Sequence, residues 1–229
     1  MKSTVKMPGA QRRTVIIEAV RGVFVEKGFD GTTTRELAEA AGVSEALLFK
    51  HFPSKEALYR AMLLSCVKDQ VSEHIERLNA MQPCAATLVL LVHDLVSHML
   101  APRVAGDQEH AIPRLVLRSL MEDGEFARVA MRGMPSQWVQ KVDECIRAAS
   151  ASGDAQDGPV RPDTAAWFAN HLAAMLMIHW LPEKPVVDYC VSRERLLEQA
   201  VWFILRGVGL KDEAIRRYYN PGALALLDM

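Results

Sequence analysis

The chain has 229 residues, half of them apolar and 24% charged, a balance that excludes extended disorder and fits one large folded domain or two small ones. The net charge of −1 argues for no nucleic-acid partner by itself, yet residues 1–60 carry ten Lys/Arg against seven Asp/Glu and residues 61–229 seventeen against twenty-one, so a mildly basic segment precedes an acidic body. The four cysteines, Cys66, Cys84, Cys145 and Cys190, form no CxxC pair and have no His at zinc-ligand spacing, the usage of reduced thiols in a cytosolic protein.

The opening MKSTVKMPGAQRR is basic but leads into no apolar stretch, so a secretory signal is not expected. Helical spacing then dominates, with no sustained alternation of period two. Residues 12–27 put Val15, Ile16, Ala19, Val20, Val23 and Phe24 on one face, and Gly28 is placed to end that helix. Short helices fit Thr34–Ala41 and Glu45–His51, the second closing before Pro53, which disfavours helix in the residue ahead of it. Ser54-Lys55-Glu56 opens a long helix expected to reach about Asn79. Breaks at Pro83, Pro102, Pro113, 150–162 and 182–185 leave helical patterns at about 84–100, 114–121, 123–150, 164–181 and 193–209, with a short tail helix at 211–219. The fold class is therefore all-α. The run from Thr164 to Pro182 has no formally charged residue and is long enough to span a bilayer; Asn170, His171 and His179 within it fit a doubly buried helix better.

Residues 31–55 carry the densest pattern, GTTTRELAEAAGVSEALLFKHFPSK. Thr33 with Glu36 three residues on is a capping box that fixes a helix start. Ala41-Gly42-Val43 supplies a tight turn in which glycine can take a positive φ, and Ser44 caps the next helix. Leu47, Leu48 and Phe52 can pack inward, which leaves Glu45, Ala46, Phe49, Lys50 and His51 to face out. Two short helices joined by a glycine turn after a longer one make a helix-turn-helix unit, whose second helix fits the DNA major groove.

The segment resembles the DNA-binding domain of the TetR family of regulators over residues 12–60. The matching residues are Thr33-Thr34-Arg35-x-Leu37-Ala38-x3-Gly42-Val43-Ser44, continued by Leu48-Phe49-x-His51-Phe52-x-Ser54-Lys55-x2-Leu58. The resemblance implies a DNA-binding domain at 1–53, ordered from about residue 12, and a helical effector-binding and dimerisation domain at 54–229. It also implies the DNA contacts: Thr33 and Ser44 at the helix starts, Thr34 towards phosphate, Arg35 towards base or phosphate, and Glu45, Ala46 and Leu47 in the base-reading turn. Phe49, Lys50 and His51 would line the groove wall, and Lys55 would face phosphate at a helix start. Where the family usually has Tyr this chain has Phe49, so one phenolic hydrogen bond to phosphate is lost. Two alternatives stay open. Glu45 either accepts from a cytosine amino group or favours the positive end of its helix, and Phe49 is either interface or core.

Palindromic operators require a two-fold protein with recognition helices about 34 Å apart. The most apolar late segments, 164–181 and 195–210, are expected to pair with their symmetry mates through Trp167, Phe168, Leu172, Met175, Val201, Trp202 and Leu205. An effector pocket is expected beside the helix from Ser54, lined by Met99, Arg118, Met121, Phe126, Met134 and Trp138; core packing explains those residues equally well. Methionines with aromatics suit a small hydrophobic or aromatic molecule. His171, Met175 and His179 share a helical face, read as packing rather than as a metal or haem site. No HExxH, GxSxG or phosphate-binding glycine loop occurs, and no catalytic residue, metal or cofactor is assigned. The expected function is a cytoplasmic, dimeric repressor released from operator DNA by its effector. An activator, a DNA-bound protein whose body recruits a protein partner, and an enzyme with an appended helix-turn-helix remain as alternatives.

Overall fold

The computed structural model describes residues 8–68, 77, 80–101, 111–122, 124–132, 134–182 and 184–224. Every extended regular element among those residues is a helix, with one isolated β-bridge between Ala155 and Leu210. They divide into two compact units, the first drawn from residues 1–71 and 105–133, the second from 72–104 and 134–229.

In the first unit, α1 (Gly9–Lys27) buries Ile16, Val20 and Phe24 completely, a four-residue spacing that keeps all three on one stripe. Val15, expected on that stripe, is turned outward and 41% exposed. Gly28 ends the helix, its N–H donating to the Phe24 carbonyl at 2.8 Å. Its φ of +71° and ψ of −176° form a backbone conformation that is essentially glycine's alone. The buried Thr32 hydroxyl donates to the Gly28 carbonyl at 2.6 Å, giving that oxygen a partner.

Next come α2 (Thr34–Ala40) and α3 (Glu45–His51), joined at Gly42 with φ +62°. After them α4 (Lys55–Lys68) starts at Ser54, whose hydroxyl accepts from the Ala57 N–H at 3.2 Å. Residues 69–76, 78 and 79, where the sequence extends this helix, lie outside the described residues. Two further helices, α6 (Ala111–Met121) and α7 (Glu125–Met131), complete the unit. Leu115, Phe126 and Ala130 join Ile16, Val20, Phe24, Leu37, Leu48, Phe52, Leu58 and Met62 in a single core. The compact unit is thus larger than the 1–53 segment delimited on the sequence.

The second unit is built around α5 (Ala85–Met99), which buries Leu88, Val89, Leu91, Val92 and Val96. Apolar residues on all its sides allow α8 (Met134–Ala151), α9 (Pro162–His179), α10 (Arg193–Gly207) and α11 (Asp212–Tyr218) each to pack on it. Ala165, Ala166, Ala169 and Ala173 are buried on α9, small side chains that permit its close approach to α8. A last turn, α12 (Pro221–Leu224), adds Leu224 to the core.

Two sequence expectations need correction. The single helix expected over 123–150 is two, because Pro135 has no N–H to offer the Met131 carbonyl of a continuous helix. Pro113 does not precede α6 but sits in its first turn, where the missing N–H costs nothing. No helix among the described residues is long and apolar enough to cross a membrane, and α9 in the uncharged run buries Asn170.

Candidate nucleic-acid interface

The capping box at the start of α2 is formed in both directions. The Thr33 hydroxyl accepts from the Glu36 N–H at 3.3 Å, and the Glu36 carboxylate accepts from the Thr33 N–H at 2.8 Å. Lys27 at the end of α1 donates to Glu36 at 2.5 Å. This lysine contact and then the Thr33 bonds hold the Glu36 carboxyl down at about 2. Ser44 repeats the cap on α3, accepting from the Leu47 N–H at 3.2 Å.

With both starts fixed, the orientation of α3 follows from two core anchors, Leu48 and Phe52, which are 2% and 1% exposed. The opposite face presents Glu45, Ala46, Phe49 and Lys50 to solvent, with Leu47 and His51 half-buried at its edges. Phe49 is 40% exposed while Leu48 and Phe52 fill the core. Arg13 of α1 secures the far end of α3: its guanidinium lies 4.2 Å from the Phe52 ring centroid and donates to the His51 carbonyl. A cation there also complements the helix dipole. The sequence reading passed over Arg13, whose only sign was the Arg12-Arg13 doublet.

The exposed side chains are already paired with one another. The Thr34 hydroxyl donates to Glu45 at 2.8 Å, tying α2 to the first turn of α3. Arg35, 80% exposed, bonds Glu39 through Nε at 3.0 Å, and that bond raises its pKa. Lys55 holds its ammonium 4.3 Å from the Phe29 ring centroid. These are exchangeable surface contacts of at most about 1 kcal/mol each. An anionic ligand can therefore replace Glu39 on Arg35 at little cost.

The residues expected to line a pocket are divided between the two units. Met99 is half-buried against the second core. Trp138 lies within that core at 8% exposure, its indole N–H donating to the Leu91 carbonyl at 3.3 Å. Phe126 is instead part of the first core, and Met121 is 82% exposed. Arg118 packs its guanidinium onto Gly28, where an added Cβ would sit 1.9 Å from Cζ, and pairs with Glu122 at 3.1 Å. The Met134 side chain lies outside the described residues. Two depressions on the second unit, flanked by Trp202, Phe203, Arg206 and Leu210, are open to solvent. Among the described residues no group of three or more His, Cys, Asp or Glu is placed to hold a metal ion.

The apolar face of α9 and α10 also differs from its expectation. Phe168 and Met175 are 61% and 45% exposed, and Trp167, Leu172 and Trp202 are half-buried. Val201 and Leu205 are fully buried within the unit's own core and have no surface to offer a second copy. Both sides of α10 are apolar, so its pattern alone did not say which side turns inward. The outward residue is Phe203, 69% exposed, which the sequence reading omitted.

Residues 16–62 match the family described as bacterial regulatory proteins, tetR family. The transcriptional repressor KstR2 of Rhodococcus jostii is 33% identical over 81 residues, 35% of this chain and 40% of that protein; the matched stretch thus spans less than half of that relative's length. Across most of the chain the likeness is one of fold. NalD of Pseudomonas aeruginosa, the secondary repressor of the MexAB-OprM multidrug efflux pump, has 19% identity and a TM-score of 0.62, covering 90% of this chain and 100% of its own. Bacillus subtilis FadR, solved in complex with stearoyl-CoA, has 17% identity and a TM-score of 0.57, covering 85% and 98%.

Proposed function

By its residues 16–62 the chain belongs to the TetR family of bacterial regulatory proteins, and from that premise we propose that it is a cytoplasmic, homodimeric DNA-binding regulator that represses transcription until a small hydrophobic or aromatic effector releases it. The observation that carries this reading is the presented face of α3. Leu48 and Phe52 anchor the helix, and Glu45, Ala46, Phe49 and Lys50 are left outward together. A helix held by its serine cap and two core anchors enters a major groove without losing further conformational freedom.

In this reading Arg35 and Lys50 grip the duplex, and Glu45, braced by Thr34, supplies an acceptor at base edges. Lys55 contributes charge at the backbone. Two copies associate through Phe168, Met175 and Phe203. The effector acts by favouring a body conformation whose recognition helices no longer match the DNA repeat. Because α6 and α7 share a core with α1 and α4, a shift of α6 would carry the recognition helix with it. KstR2 and NalD are named as repressors, and the stearoyl-CoA held by FadR is a precedent for an apolar effector.

The test is selection of bound fragments from the native genome, followed by binding to the enriched site at two salt concentrations. A two-fold symmetric site with half-sites about 34–36 Å apart, bound by one dimer, is expected. Enrichment of no sequence above bulk DNA would overturn the reading.

A further inference from the structure

Two of the scattered cysteines are neighbours in the fold. Cys84 is the N-cap of α5 and is exposed, its sulfur accepting from the Thr87 N–H at 3.4 Å and lying 3.3 Å from the Thr87 hydroxyl. Cys145, in the middle of α8, is completely buried, and the backbone N–H of Cys84 donates to its sulfur. One thiol thus meets solvent while the other is buried against the backbone of the same residue.

We propose that Cys84 is a peroxide-reactive cysteine and Cys145 its resolving partner, the two forming a reversible disulfide that ties the start of α5 to the middle of α8. The surroundings divide the roles. Burial pushes the Cys84 thiol up, but bonds from the Thr87 hydroxyl and the Thr87 and Ala86 N–H groups outweigh it and leave the pKa below its ordinary value, with only a weak opposing push from Asp154. The Thr87 hydroxyl donates to the Gln82 carbonyl at 2.8 Å, and its single proton can turn to the sulfur once that sulfur is ionised. Burial drives Cys145 up to about 11, so it stays a thiol and does not compete as the attacking group.

The oxidant is a hydroperoxide. The Cys84 thiolate attacks the terminal peroxide oxygen and the O–O bond breaks. The alcohol, or water from hydrogen peroxide, leaves with a proton, and Cys84 becomes a sulfenic acid. The Cys145 sulfur then attacks the Cys84 sulfur, its proton leaving with the hydroxide as water. Two thiols have lost two electrons and the peroxide has gained them. Cys190 is a control within the same chain. It is also exposed, but it sits in an Asx turn, with its N–H on the Asp188 carboxylate at 2.8 Å and its sulfur 3.9 Å from the Asp188 carbonyl.

The experiment uses the reduced full-length protein exposed to hydrogen peroxide, then to N-ethylmaleimide, with intact-mass and peptide analysis. The expected product, lighter by two hydrogen atoms before alkylation, yields one cross-linked peptide joining Cys84 to Cys145, reversed by dithiothreitol, while Cys190 keeps its alkylation. Cys145→Ala should leave a Cys84 sulfenic acid that dimedone traps, and Cys84→Ser should leave Cys145 unoxidised. Unchanged alkylation of Cys84 after peroxide, or a cross-link from Cys84 to Cys66 or Cys190, overturns the proposal. Peptide mapping of the unsubstituted protein decides the matter even if the Cys145 variant does not fold.

Discussion

Helices α3 and α10 each leave a phenylalanine in water, and the proposed function gives them different partners. The seven residues of α3 are held by a serine cap and by Leu48 and Phe52, which leaves Glu45, Ala46, Phe49 and Lys50 outward for a ligand of fixed geometry. The fifteen residues of α10 bury Leu196, Ala200, Val201, Ile204 and Leu205, and expose Phe203 on the other side. A helix made for the DNA groove needs particular side chains at particular positions. A helix made to meet its own copy needs only apolar surface that repeats under a two-fold rotation. The first demand leaves a signature of caps and charges, the second an apolar run without direction.

The sharpest way to break this contrast is to charge the two sides of α10 separately. Val201→Glu places an unpaired carboxylate in a fully buried site and should cost roughly 4–5 kcal/mol or more, seen as loss of helical circular dichroism at ambient temperature. Phe203→Glu should keep the circular dichroism and convert the sedimenting dimer to monomer. An intact Phe203→Glu dimer would move the interface elsewhere.

On the α3 side the support itself can be tested. Gly28→Ala forces a side chain into a backbone conformation costing about 1–3 kcal/mol and adds a collision with the Arg118 guanidinium. Urea unfolding of Gly28→Ala, alone and with Arg118→Ala, should show partial recovery in the pair. Equal midpoints would mean that Arg118 yields freely.

A smaller effect separates reading from gripping. Arg35→Ala and Glu45→Ala should each relax preference at particular base positions by about 1–3 kcal/mol. Lys55→Ala should weaken all sequences alike and lower the salt slope by about one ion per subunit. A randomised operator library at two salt concentrations measures both, and a sequence-selective loss from Lys55→Ala would reverse the roles.

The smallest effect concerns the α2 cap. With its carboxyl held at about 2, below the ordinary 4.5, Glu36 stabilises the fold above pH 4.5, and that contribution fades as pH falls towards 2. Glu36→Gln should therefore lower the melting temperature at pH 6 and make no difference near pH 2. A gap that persists at low pH would assign the effect to packing instead.

The same contrast explains what was legible in the sequence. Both starts in the helix-turn-helix were fixed by local chemistry, Thr33 with Glu36 and Ser44 with the Leu47 N–H, so the expected bounds of α3 match the structure and those of α2 differ by one residue. The all-helical class followed from period alone. Tertiary choices were harder to read. Nothing local distinguishes Val201 from Phe203, and Arg118 and Phe126 found partners on α1 and α4 that lie far away in the chain. Trp138 looked free to meet a ligand because its Leu91 acceptor is 47 residues distant.

The first core, completed by Leu115, Phe126 and Ala130, has a consequence for how the protein is made. When residue 68 leaves the ribosome, α1 and α4 still lack the helices that cover their apolar sides. The missing helices end some sixty residues later, roughly 3–12 s of synthesis at about 5–20 residues per second. For that interval the nascent recognition segment is an unfinished fold with uncovered apolar surface, a client for chaperones. Under the proposed function, competence to bind an operator arrives late in translation, although the residues that would read it are among the first to be made.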